Sequence, residues 1–154
     1  MPFMGPGGPG WNTAKHTKAD VTAVTAWTTA NSPVTLFTVT GAVLARVYAY
    51  STAAMTSVSN TGTLAIGVAG ATTAFLGTTT INTTNFPTAG GEAWVDTSAT
   101  LKVEPLPGTS GWQLLVDGTD IILTIVTNNM SAGGMVVVCD WIPLSSDGAV
   151  AAAA

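Results

Sequence analysis

The order of apolar and polar positions along the chain predicts short β-strands. Residues 34–40 and 42–50 form the first predicted β pair, and residues 63–68 alternate with the two-residue period of a strand. Residues 120–127 and 135–142 are apolar on both faces, which is typical of strands at the centre of a sheet. Shorter strands are predicted at 75–81, 93–96, 101–104 and 112–116.

Turn-forming residues mark the breaks between these strands. Residues 31–33 predict a turn, Gly41 a bend or bulge, and Pro143 the end of the last long strand. Asp117-Gly118 predicts a tight hairpin turn between the two strands that flank it. Because strands recur about every ten residues, we expect an all-β fold, an antiparallel β-sandwich of jelly-roll type. Loops are predicted at 82–91 and 128–134.

A single domain with two unlike ends accounts for the 154 residues. Residues 1–12 are predicted to form an extended, flexible arm, because glycine and proline follow one another too closely for a helix or strand. The sandwich is placed at residues 13–148. Within it, residues 13–33 fit both strand and helix periods, and their threonines favour an extended edge segment. For the alanine-rich tail, residues 149–154, a short helix and a disordered end both stay open.

The predicted strand at residues 42–50 has two different faces. Its odd-numbered residues are small and apolar and belong to the predicted core. Leu44, Arg46, Tyr48 and Tyr50 form the other face, which suits contact with another chain. A partly exposed sheet face, with the Arg46 stem lying across Tyr48, is the alternative. The predicted core includes Val43, Val47, Leu64, Ile66, Ile121, Leu123, Ile125, Val137 and Trp141.

Asp140 interrupts an apolar strand beside Trp141. A buried carboxylate needs a partner, and Arg46 is the natural candidate because it is the only arginine of the core region. The alternative places Asp140 outward at the end of a strand.

Charge is the unusual feature of the composition. Charged residues make up 8% of the chain, against about 25% in ordinary soluble domains. Threonine accounts for about one residue in six. Low charge is typical of surfaces buried between subunits, so we favour a subunit that is largely covered by neighbours. A threonine-rich domain solvated by its hydroxyl groups is the alternative.

The same composition argues against several functions. The net charge is −4, and the four cationic side chains, Lys15, Lys18, Arg46 and Lys102, are too few for a phosphate-binding patch, so no nucleic-acid partner is expected. His16 is the only histidine and lies near the N-terminus, which argues against nucleophilic catalysis. No nucleotide-binding or hydrolase motif is present. We therefore expect neither an enzyme nor a cofactor.

Metal and membrane sites are not expected either. Asp117 and Asp120 are the closest candidates for calcium binding, but the turn accounts for Asp117 and Asp120 flanks a strand. The single cysteine, Cys139, is predicted to be a buried free thiol, which fits synthesis in a reducing compartment. Neither a signal peptide nor an apolar stretch long enough to cross a bilayer is visible, so no membrane partner is expected.

Phe3, Met4 and Trp11 stand out in the glycine- and proline-rich arm. Large apolar groups are expected in an arm that docks on a neighbouring chain, whereas a disordered terminus would carry them only incidentally. Together with the Arg46, Tyr48 and Tyr50 face, these three residues are the predicted protein–protein contacts.

The end of the chain has a distinctive motif, Trp141-Ile-Pro-Leu-Ser-Ser146, and residues 36–41 and 43–50 form a pattern of two strands nearer the beginning. The motif resembles the ending of a group of small structural proteins of tailed bacteriophages, and the two strands resemble their opening hairpin. The resemblance is strongest in the motif. It covers about half of the chain and includes no catalytic motif. The other segments that carry it are residues 120–127, Ser131-Ala-Gly-Gly134 and residues 136–140.

This resemblance implies a capsid decoration (cement) or head-fibre protein, with minor tail proteins as near relatives. Such a protein would be a β-sandwich that forms a homotrimer on the outer capsid surface, with the major capsid protein as its partner. It would be made in the host cytoplasm and located in the virion. The alternatives are a receptor- or glycan-binding tail module that uses Trp94 or Trp112 as a stacking platform, and a jelly-roll hydrolase, against which the scarcity of histidine and acids argues.

Overall fold

β-Strands make up nearly all of the regular structure of the described residues. A computed structural model of the protein describes residues 15–22, 27–86, 93–94 and 112–153. Within these residues the only helical element is a 3-10 turn, Val58–Asn60. The strands are β1 Lys15–Thr22, β2 Val34–Thr40, β3 Val43–Ser57, β4 Thr63–Val68, β5 Ala71–Thr80, β6 Ala93–Trp94, β7 Gln113–Leu115, β8 Ile121–Val126, β9 Met130–Pro143 and β10 Ala149–Ala152.

These strands form two antiparallel sheets. In the first sheet the order is β1-β9-β3-β6, and β7 also pairs with β3. In the second sheet the order is β10-β2-β8-β4-β5. Apolar side chains between the two sheets form one core. The predicted all-β antiparallel sandwich is therefore confirmed.

The strand pairs are nested inside one another along the chain. β1 pairs with β9, β2 with β8, β3 with β7 and β4 with β5. The chain thus runs as a long two-stranded ribbon, and successive segments of the ribbon alternate between the two sheets. Because of this nesting, β8 and β9 each have a strand on both sides, as their apolar faces predict.

The core contains every residue that the sequence assigns to it. All nine predicted core residues have 6% or less of their surface exposed. Phe37, Met55 and Phe86 are fully buried as well, although the prediction does not name them. Since burial of one large apolar side chain contributes about 1.5–3 kcal/mol, this core is the main source of stability.

The observed strand bounds agree best with the predicted ones where the apolar and polar residues alternate clearly. β2 and β4 span the predicted residues, and β8 is one residue shorter than predicted at each end. β1 is an edge strand within the ambiguous residues 13–33. Of the short predicted strands, Ala93–Trp94 forms β6, whereas residues 101–104 lie outside the described part of the chain.

Two predicted hairpins are wrong, because β2 and β3 belong to different sheets, as do β7 and β8. The Asp117-Gly118 turn itself forms, with φ +74° at Gly118 and a hydrogen bond of 2.9 Å from Thr119 N–H to Val116 O. Gly118 N–H also donates to Val39 O at 3.2 Å, which docks the turn on the end of β2. A turn sequence specifies the local backbone, and this docking decides which sheet receives the next strand.

β3 and β9 are longer than predicted. β9 begins at Met130, inside a predicted loop, and β3 continues to Ser57. The register shifts several times where these ends pair, and Gly133 adopts φ +102°. A Cβ atom at Gly133 would meet the backbone of Ala54 and Met55. Small and polar residues form strands here because β3 and β9 supply each other's backbone hydrogen bonds along their full length. The local composition does not reveal this pairing.

The alanine-rich end is neither a helix nor disordered but forms β10, which pairs with β2. Tertiary contacts can override the helix propensity of alanine. Here the strand is stabilised because Val150 is buried in the core opposite Val39. The hydroxyl of Thr17 on β1 donates to Val150 O at 3.1 Å and accepts from Trp141 Nε1 at 3.0 Å. These bonds join the edges of the two sheets.

Gly67 of β4 provides a test of the second sheet. A Cβ atom at this position would meet the carbonyl groups of Ala71 and Thr72, and backbone atoms cannot turn aside as a side chain can. We expect Gly67→Ala to lower the free energy of unfolding by about 2–3 kcal/mol in urea titrations. Gly118→Ala is the control, because its Cβ would meet nothing within 4 Å and the positive φ costs only about 1 kcal/mol. Equal losses in the two variants would contradict the packing argument.

The buried Cys139 gives the protein a predictable response to alkaline pH. Burial, and secondly the charge of Asp140, raises the pKa of the thiol from 9.0 to about 12. The thiol therefore favours folding below pH 9, and this contribution is lost as the pH rises toward 12. Between pH 8 and 10 the natural protein should lose about 1.4 kcal/mol more unfolding free energy than Cys139→Ala, which has no thiol to ionise. Parallel pH profiles of the two proteins, measured by urea unfolding under reducing conditions, would refute this.

Candidate interaction surface

One side of the first sheet points away from the core and carries the residues that the sequence singles out. Leu44, Arg46, Tyr48 and Tyr50 alternate with the buried residues of β3, as predicted. The register sets Arg46 opposite Asp140 on β9 and sets both tyrosines opposite valines of the same strand. We call the surface formed by these residues and their neighbours on β7 and β9 the outer face.

A buried ion pair fixes the centre of the outer face. Asp140 is 1% exposed although it points away from the core. Arg46 donates to its Oδ2 from Nε at 3.0 Å and from Nη2 at 2.8 Å, and the Tyr48 hydroxyl lies 3.5 Å from Oδ1. The sequence leaves two placements open for Asp140, and the structure confirms the pairing with Arg46. The carboxylate thus has the charge and hydrogen bonds that its burial requires.

Trp112 lies over the guanidinium group of Arg46. The Arg46 Cζ atom is 5.0 Å from the centroid of the indole ring, within the range of a cation–π interaction. The Arg46 side chain nevertheless remains 46% exposed. The guanidinium is therefore held between a carboxylate and an indole ring while it still reaches solvent. The sequence gives no sign of this contact, because nothing in the local pattern places β7 beside β3.

Tyr48 keeps its proton over the ordinary pH range. Partial burial, followed by the negative charge of Asp140, raises the pKa of the phenol. The hydroxyl therefore remains a donor that faces the Asp140 carboxylate. With Arg46 and Trp112, it completes a set of side chains of the types that dominate the hot spots of protein interfaces.

On the other side of Arg46 the outer face becomes apolar. Leu114 on β7 pairs with Leu44 on β3 in register, and Leu44 pairs with Ile142 on β9, so one apolar row crosses three strands. Val116 directly follows β7 and Leu144 directly follows β9, so both residues lie next to this row. Leu114, Val116 and Leu144 are 63%, 53% and 45% exposed. We call these five residues the apolar end.

Exposed large apolar side chains are concentrated at the apolar end. Elsewhere among the described residues, only Val58 and Val126 are comparably exposed. Contiguous exposed apolar surface marks sites of interaction more often than single exposed residues do. Of the five residues of the apolar end, the sequence predicts only Leu44 to lie on a contact face. The alternation of Trp112, Leu114 and Val116 is a visible signal, whereas the strand that they join is not.

The two carboxylates considered for calcium binding accept hydrogen bonds from the backbone. Asp120 accepts a hydrogen bond from Val39 N–H at 3.0 Å, and Asp117 accepts one from Gly41 N–H at 3.3 Å. Both bonds hold the turn that follows β7 against the end of β2. In the described part of the chain, no group of three or more His, Cys, Asp or Glu side chains is arranged to hold a metal ion.

Some predicted contacts fall beyond what the structure describes. The arm residues Phe3, Met4 and Trp11 lie outside the described residues, as does the side chain of Trp94. No helix within the described ranges has the length and hydropathy needed to span a membrane. Comparisons with protein-family models, curated proteins and solved structures find no match for this chain.

Loss of the positive charge at Arg46 should destabilise the protein through Asp140. Arg46→Met keeps an apolar stem against Trp112 but leaves the carboxylate without the Arg46 cation. Breaking a fully buried pair costs about 3–5 kcal/mol, and the half-exposed guanidinium reduces this, so we expect a loss of about 2 kcal/mol in unfolding free energy. Adding Asp140→Asn, which removes the negative charge, should recover at least half of the loss. If Arg46→Met is as stable as the natural protein in urea, the ion pair has no such role.

Proposed function

We propose that this chain is a virion structural protein of a tailed bacteriophage, a decoration or cement protein that binds the outer capsid surface and stabilises the contacts between capsomers. Its partner is the major capsid protein, and it acts as a homotrimer without enzymatic activity. It is made in the host cytoplasm and resides on the capsid surface. The observation that carries the proposal is the outer face, where Arg46, Tyr48 and Trp112 surround the buried Asp140 beside the apolar end.

The residue types and their fixation support a protein partner. Tryptophan, tyrosine and arginine are the residues most enriched at binding hot spots. Two hydrogen bonds to Asp140 already orient the Arg46 side chain. Binding would therefore freeze fewer torsions than for an unrestrained arginine and would cost less entropy. The apolar end adds surface that gains free energy when it loses water.

The sparse charge of the chain supports assembly in many copies. With 8% charged residues, a free monomer has little charge to keep it soluble. Individually weak contacts become strong when symmetric copies engage one lattice at the same time. A clip across adjacent capsomers adds buried area at joints that the packaged DNA pushes apart.

The topology supports the jelly-roll interpretation within this proposal. Nested pairs that alternate between two sheets are the arrangement expected of a sandwich made of two Greek keys, a fold used by viral capsid proteins among others. A fold alone does not define a function. The support for capsid binding therefore comes from the chemistry of the outer face and from the sequence resemblance.

A receptor- or glycan-binding tail module is the alternative. Such a module would need the open face of an aromatic ring for a sugar to stack on. Arg46 covers one face of the Trp112 ring, which halves the surface that this residue offers. The same contact that weakens the glycan alternative strengthens the assignment of Trp112 to a protein interface.

The proposal predicts the mass of the purified protein and its behaviour with capsids. Light scattering should give a trimer, and the protein should co-sediment with undecorated capsids until the sites are saturated. Tyr50→Glu on the outer face should weaken this binding at least about tenfold, equivalent to about 1.4 kcal/mol. Val126→Glu, at an exposed position of the second sheet, is the control and should bind normally. Thermal melts of both variants check that they fold.

Two outcomes would count against capsid decoration. A stable monomer that does not sediment with capsids would overturn it. If the folded protein binds host-surface glycans in an array, the assignment moves to the tail module.

A further inference from the structure

The apolar end lies beside the point where the N-terminal arm joins the sandwich. β1 runs antiparallel to β9, and its first residue, Lys15, pairs with Trp141. The chain that precedes Lys15 therefore enters β1 from the side of Ile142 and Leu144, which belong to the apolar end. An apolar group in this part of the arm starts close to an exposed apolar surface of its own chain.

The distance from Lys15 to Trp11 matches the width of the apolar end. Four residue steps separate the two positions and span up to about 14 Å when extended. Neighbouring strands are about 4.8 Å apart, so the three steps from β1 across β9 and β3 to β7 also cover about 14 Å. An almost fully extended chain therefore brings the indole ring of Trp11 within reach of Leu44 and Leu114.

We propose that, in the free protein, the arm folds back on its own chain and places the indole ring of Trp11 on the apolar end, against Leu44 and Leu114. These side chains and the indole ring all gain by leaving water, since 63% of Leu114 is otherwise exposed. Attachment in the same chain gives Trp11 a local concentration in roughly the millimolar range, which a separate chain would have to exceed.

This inference goes beyond the proposed function and does not depend on it. The contact covers the apolar end in the free protein, so a partner that uses this surface must displace Trp11. Arg46, Tyr48 and Tyr50 stay accessible to a partner in either case. Phe3 and Met4 lie eleven or more residue steps before Lys15, so the chain is long enough for them to reach beyond the apolar end. They stay available for the contacts with another chain that are proposed for the arm.

Disulfide trapping in the full chain tests the contact. Gly10→Cys and Val116→Cys place one thiol next to Trp11 and one at the apolar end, while the native Cys139 is buried. The control pairs Gly10→Cys with Val126→Cys, whose exposed side chain belongs to the second sheet. On mild oxidation we expect the first pair to form an intrachain disulfide at least ten times faster than the control. Adding Trp11→Ala should slow the first pair at least threefold and leave the control unchanged.

Equal rates for the two pairs, or a rate that Trp11→Ala does not alter, would overturn the proposal. A disulfide that forms mainly between chains, visible as a dimer on a non-reducing gel at low protein concentration, would overturn it too and assign the apolar end to a second copy. None of these measurements involves capsids. Failure of this contact is therefore distinguishable from failure of the proposed function.

Discussion

The long antiparallel pairing of β3 with β9 is the constraint on which the rest of the structure depends. It extends from Val43 opposite Pro143 to Ser57 opposite Met130, and it places β9 between β1 and β3. One side of this ladder supplies the centre of the core, and the other side carries the ion pair and the apolar end. The core and the candidate interaction surface are therefore two faces of one pairing, and a change in register would alter both.

The ion pair is well placed to enforce that register. Side chains alternate strictly along a strand, so a slip by one residue would set Asp140 opposite Ala45 or Val47 instead of Arg46. Apolar packing alone would resist such a slip only weakly, because β9 is apolar on both faces. A buried carboxylate that loses a cationic partner costs several kcal/mol, about 3–5 in typical cases. The ion pair therefore acts mainly by destabilising a shifted register, and it adds less to the net stability of the correct one.

The range of an interaction decides whether it can be predicted from this sequence. Alternation over a few residues is local, so the bounds of β2 and β4 and the nine core residues follow from it. The pairing of Asp140 with Arg46 is one of the two placements that the sequence leaves open, and Arg46 is its candidate because the core region offers a single arginine. Strand neighbours do not follow: Asp117-Gly118 specifies a turn, but its docking on Val39 sends the chain into the other sheet.

The same limit applies to the ends of the sheets and to the surface. Alanine-rich residues become β10 because β2 has an open edge, a fact that composition cannot express. The apolar end combines residues near positions 44, 114 and 142, which only the nested pairing brings together. Trp112 meets Arg46 for the same reason. Sequence patterns thus predict which side chains face outward, whereas the topology determines which of them form one surface.

The charge distribution of the outer face indicates how it would recognise a partner. Asp140 balances Arg46, so the guanidinium offers hydrogen-bond donors without adding net charge to the surface. The ion pair itself would then add little long-range attraction to association. Salt would likewise have little effect on the contribution of this pair, since screening acts on exposed net charge. Specificity would instead depend on shape and on the fixed guanidinium, which act after contact and slow dissociation. A subunit that must stay bound on a lattice benefits more from slow dissociation than from fast encounter.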